Sequence, residues 1–163
     1  MTKTIPDRQL TQNFSLYEFI EGSLPPEGVA LNWRHIHLMD MAKIEEVAKH
    51  AQTIRDLINR EFKSDLGHTE IGLRIMSGWR CPEWELRMGR SGQSQHTIAA
   101  YDATPILCSK NQAASIIGWL YHRFSRSYVG GFAIKKPTFQ DGKMILPGFV
   151  HFDFRGSIAR WEY

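Results

Sequence analysis

Phe149-Val150-His151-Phe152-Asp153-Phe154 is the stretch whose reading decides the class of fold. Alternate residues of a strand face the same side, so a period of two puts His151 with Asp153 and sets Val150, Phe152 and Phe154 opposite. Two more strand-like pieces, residues 128–134 and 143–146, come just before it. Further upstream, Ile71, Leu73 and Ile75 alternate with Gly72, Arg74 and Met76, and residues 99–104 read as another strand. Helical periods separate these pieces. Met41, Ile44, Val47, Ala51, Ile54, Leu57, Ile58 and Phe62 recur at steps of three and four and predict a long helix over 40–62. Its polar face, with Lys43, Glu46, Lys49, Arg55 and Arg60, reads as solvated. Ser109 starts a second helix carrying Ala113, Ile116, Ile117, Leu120 and Phe124. Helices first, then strands with one more helix, predict an α+β fold: a small, mostly antiparallel sheet covered by helices.

The chain has 163 residues, 42% of them hydrophobic and 23% charged. That length and balance predict one domain, 1–163, with residues 1–38 as an N-terminal arm packed on it. In the arm, residues 13–19 read as a capped turn, with Ser15 and Glu18 three residues apart. Pro25-Pro26 and Gly28 read as turn signals. No apolar run reaches the roughly 20 residues of a membrane span. The stretch MTKTIPDRQLTQNF lacks the apolar core of a secretory signal, so none is expected. The net charge of +3 is small and there is no Lys/Arg run, which points away from nucleic acid. Cys81 and Cys108 read as two reduced, unrelated thiols.

Of the seven histidines, His50 and His122 sit on helices and His68 in a turn. His35 and His37 share a face if their segment is extended, with no carboxylate beside them at useful spacing. His96, Asp102, His151 and Asp153 form a more pointed set. Burying an unpaired His and Asp on one strand face is costly. A metal or a mutual network would resolve that cost, and two His with one carboxylate suffice for a catalytic zinc. Spacing alone leaves this open against a solvated strand face.

Ser77-Gly78-Trp79-Arg80, the run from Gly89 to His96, Ala100-Tyr101-Asp102, then His151-Phe152-Asp153 and Arg160-Trp161 follow one another in order. Together with Asn13-Phe14-Ser15, this series resembles the zinc D-Ala-D-Ala carboxypeptidase and murein endopeptidase family of hedgehog-like zinc peptidases. It is most similar to the murein-endopeptidase-like branch of phages and prophages. The resemblance implies His96, Asp102 and His151 as zinc ligands. It implies Arg80 as the group facing the substrate and its developing oxyanion, and Ser94 as the residue fixing the His96 loop through its hydroxyl. Many family members carry an acidic residue three positions before the last ligand. Gly148 stands there, so Asp153 is the remaining candidate for the general base. Trp79, Trp84 and Trp161 would wall the cleft or pack in the core. Family members usually leave six residues, one a glycine, between the first two ligands; here five intervene, beginning Thr97-Ile98-Ala99.

The function so implied is hydrolysis of an amide bond in peptidoglycan stem peptides, by a phage endolysin or a virion-associated enzyme. The protein would reside in the host cytoplasm until lysis, or in the virion with other virion proteins as partners. The alternative is a peptidase-like structural or binding module of a phage virion or tail. For Arg80 itself, the alternative to facing the substrate is to cap a strand end or pair with Glu83.

Overall fold

The computed structural model describes residues 5–67 and 70–163, so the turn assigned to His68 lies outside the described residues. The chain forms two compact units: Met1–Gln52 with Ile75–Tyr101, and Thr53–Arg74 with Asp102–Tyr163. Helix α1 (Leu16–Ile20) is followed by α2 (Pro26–His35) and the long α3 (Leu38–Phe62). After β1 (Gly72–Ser77) come α4 (Pro82–Arg87), a 3-10 turn (Gln95–Thr97), β2 (Ala100–Ile106) and α5 (Lys110–Phe124). Then come β3 (Gly131–Lys135), β4 (Thr138–Gln140), β5 (Lys143–Leu146), β6 (Phe149–Asp153) and β7 (Ala159–Glu162). The fold is α+β, as its sequence predicts. Five strands form a mostly antiparallel sheet in the order β1-β2-β6-β3-β7, and β4 pairs with β5 separately. No helix among the described residues is long and apolar enough to cross a membrane.

The first unit is built on Phe14, Leu16, Phe19, Ile20 and Leu31, all buried. The Glu18 carboxylate accepts the Ser15 N–H at 2.7 Å and so closes the start of α1. Helix α2 occupies the stretch whose prolines and glycine read as turns. Pro26 is its first residue, where the missing N–H costs nothing. Gly28 is there for packing: a Cβ would sit 3.0 Å from the Trp84 ring. In the second unit, Ser109 and Gln112 cap α5 reciprocally, with bonds of 3.2 and 2.8 Å. Strand β6 pairs antiparallel with β3, Ala133 opposite His151, and β7 adds to β3 in parallel. Phe132 and Phe152 face each other at 4.9 Å between ring centres in its core.

Two expectations fail. Arg55, placed on the solvated face of α3, is buried and ion-paired with Glu70. Phe154 lies beyond β6 and is exposed.

Candidate metal centre

The segment after β1 is pinned from two sides. Trp79 N–H donates to the Phe19 carbonyl at 2.8 Å. Gly78 permits that approach, since a Cβ would fall 2.3 Å from the same oxygen. From α2, the fully buried Asn32 donates to the Ile20 and Trp79 carbonyls at 2.7 and 2.9 Å and accepts the Cys81 N–H at 2.8 Å. This clamp fixes Gly78 O and Arg80 N, the two atoms that hold the His96 turn. Arg80 N–H donates to the His96 carbonyl at 3.0 Å, and His96 Nδ1 donates to the Gly78 carbonyl at 2.7 Å. A carbonyl only accepts, so Nδ1 carries the proton and Nε2 of the neutral ring carries the lone pair. Ser94 Oγ accepts the His96 N–H at 3.3 Å, and Thr97 Oγ1 donates to Ser94 O at 2.7 Å.

The Arg80 side chain pairs with Glu85 at 2.9 Å, and Arg90 reaches the same carboxylate oxygen at 2.9 Å. Glu85 is completely buried. The alternative pairing with Glu83 is not made: Glu83 binds Arg87 at 2.7 Å and His35 at 2.8 Å. His35 thus has a carboxylate that nothing in its own neighbourhood announces. Trp79 and Trp84 are buried in the first unit.

In the second unit, His151 and Asp153 are 2% and 0% exposed, which removes the solvated-face reading. A mutual network offsets the cost of burial. His151 Nδ1 lies 2.7 Å from Asp102 Oδ1, and His151 Nε2 lies 3.2 Å from Asp153 Oδ2. Asp153 also accepts the Gly131 N–H at 2.9 Å and a forked pair from Arg155, Nε at 2.8 Å and Nη2 at 2.5 Å. Gly131 has no side chain because a Cβ would lie 2.1 Å from Asp153 Oδ2. Burial alone would raise the Asp153 pKa; the bonds from His151 and Arg155 override it and hold the carboxyl well below the usual range. Burial likewise pulls His151 down, but Asp102 and Asp153 outweigh it and raise its affinity for a proton. Trp161 lies against the His151 ring at 5.0 Å and carries the Arg155 guanidinium over its face at 5.2 Å.

One ligand atom from each of His96, Asp102 and His151 lies within 4.8 Å of the others, and this group could hold a metal ion. Asp102 belongs to the group with the five-residue spacing as it stands. The donor set fits a divalent transition metal. It offers two imidazoles and one carboxylate, the combination of catalytic zinc sites with an open position. His96 has its ring fixed by a carbonyl and His151 by a carboxylate, the usual supports of metal-bound imidazoles. Asn32, Glu85, Gly131 and Arg155 belong to the supporting shell and were not read from the sequence; Arg155, two residues after Asp153, was the one with a local signal. No protein-family model, curated protein or solved structure matches the chain.

Proposed function

We propose that the protein is a zinc-dependent peptidase that hydrolyses an amide bond in peptidoglycan stem peptides. The observation that carries the reading is the convergence of His96, Asp102 and His151, with both rings already oriented. The choice of peptidoglycan rests on the ordered motif series from Asn13 to Trp161. Zinc held by these residues supplies a polarised carbonyl and a water that ionises near neutral pH. His96 presents Nε2 because Gly78 holds its other nitrogen. Asp153 accepts the Nε2 proton of His151 and leaves Nδ1 as the ligand atom. Asp153 is thereby an orienting residue and not the general base expected from sequence, since a carboxylate saturated by Arg155 and Gly131 is a weak proton acceptor. Arg80, steadied by Glu85, offers a permanent forked charge for the oxyanion or a peptide carboxylate.

A second reading, a peptidase-like module of a virion that binds without turnover, is favoured by one observation. Three carboxylates are each tied to arginine: Asp153 to Arg155, Glu85 to Arg80 and Arg90, Glu83 to Arg87. The test is incubation with purified muropeptides, with and without a chelator, with products identified by mass and metal by elemental analysis. Zinc at unit stoichiometry with chelator-sensitive cleavage supports the enzyme. Zinc without cleavage supports the module. Absence of metal overturns the enzyme and leaves the module.

A further inference from the structure

We propose that a groove in the second unit binds the carboxylate end of an apolar peptide. The groove has a volume of about 300 Å³ and shares no residue with the metal-binding group. Its apolar wall is unusually open to water: Leu107, Leu146 and Ile145 are 63%, 58% and 39% exposed. Large apolar side chains gathered at one exposed place mark a binding surface more often than scattered ones do.

The charge at the groove has one sign. Arg74 from β1 and Lys110 at the start of α5 both line it, and no acidic residue does among the described residues. Neither cation is in an ion pair among the described residues; Lys110 Nζ reaches only the Met144 carbonyl, at 3.5 Å. Lys110 also stands at the positive end of a helix dipole, and the first turn of α5 has no acidic residue to offset it. An occupant that covers the apolar wall must therefore bring a negative charge. Leu107 adds a separate sign of function. Its φ of 62° is left-handed, a strained conformation for a bulky residue, and it turns an apolar side chain outward at the rim.

The occupant follows from size and charge together. The volume is at the small end of ligand sites. It suits one apolar side chain with its own carboxylate. A peptide ending in an apolar residue has this chemistry.

Cys108 lines the groove half-buried, while Cys81 is fully buried, so a thiol reagent reports on Cys108. The full chain is titrated with N-acetyl-leucyl-leucine, its C-terminal amide and octanoate, reading the rate at which Ellman's reagent labels Cys108. The free acid is expected to slow labelling, with the amide weaker by about tenfold for the lost charge-assisted bonds. The Arg74→Gln/Lys110→Gln variant, altered at surface positions, loses the preference for acid over amide. Leu107→Gly relieves the backbone strain, so it keeps its melting temperature while losing protection. Equal protection by acid and amide, stronger protection by octanoate, wild-type behaviour of the double variant, or no protection at all overturns the proposal.

Discussion

Replacing Asp153 with Asn separates an orienting carboxylate from a catalytic base. Asn keeps the shape, and its carbonyl can still accept the Gly131 N–H that Asp153 holds at 2.9 Å. Its amide then turns toward Arg155 Nη2, 2.5 Å from Asp153 Oδ2, and toward His151 Nε2, 3.2 Å away. Both neighbours are donors. The His151 ring relieves the conflict by moving its proton to Nδ1, the atom needed as a ligand. Loss of such a supporting group costs about 10- to 100-fold in metal affinity. Breaking a fully buried ion pair costs roughly 3–5 kcal/mol. The Arg155 side chain is 31% exposed and can reach water, which brings the expectation to about 2 kcal/mol. For a chain of this length that is a fall of about 4–8 °C in Tm. Competition against a zinc-binding dye gives the affinity, and a thermal melt gives the stability. The wild-type melt should also respond to acid. Asp153 has its folded pKa depressed, so its contribution is full above the ordinary carboxylate pKa of about 4 and drains away as pH falls below it. The Asn variant lacks that part of the acid loss. Unchanged affinity and melting with only turnover lost would refute the orienting role and return Asp153 to the position of base.

His151→Ala is expected to abolish metal binding while the protein still folds; equal metal in variant and wild type by elemental analysis would remove His151 from the centre. Arg80→Lys keeps the charge but not the fork, and should lose about 3–4 kcal/mol of transition-state stabilisation in kcat/KM with zinc retained. Wild-type turnover with a lowered Tm would leave Arg80 a structural partner of Glu85. Gly131→Ala forces its Cβ into the Asp153 carboxylate and should cost about 1–3 kcal/mol of stability together with metal affinity; a melt and a dye titration that match wild type would contradict the close packing. His50, whose ring lies 2.9 Å from the Tyr101 hydroxyl, is pulled by burial from 6.5 to about 4. The folded state resists its protonation, so this contribution is present above pH 6.5 and lost as pH falls toward about 4. His50→Gln should flatten that part of the stability profile, measured by denaturant unfolding across pH.

Much of the fold was legible because its long elements carry their own period. Helix α3 buries Ile44, Val47, Ala51, Ile54 and Ile58, the stripe its spacing announces. Strand β6 is a period-two run. Helix α2 was not legible, and the reason is physical. Proline is as good a first helical residue as a turn residue, and Gly28 answers to a tryptophan 56 positions later in the chain, on α4. Strand β7 has four residues and takes its definition from β3, a partner that no local pattern names.

The site divides along the same line. His151 and Asp153 share a face because a strand alternates, so their meeting could be read from two residues of spacing. The pairing of Arg80 could not. Glu83 stands three positions from Arg80, a neighbour only if both belong to one helix. Arg80 precedes that helix: α4 begins at Pro82, behind a Cys81 cap in extended conformation. The rule of three therefore does not apply, and direction along α4 decides instead. Glu83 faces solvent and takes Arg87 one turn on, an ordinary surface pair. Glu85, two residues further, turns inward and is fully buried. A buried carboxylate must find a cation, and Arg80 on the incoming segment and Arg90 on the outgoing loop are the two that reach it. The side chain that steadies Arg80 is thus set by the burial of α4, a tertiary property that no spacing rule along the chain states.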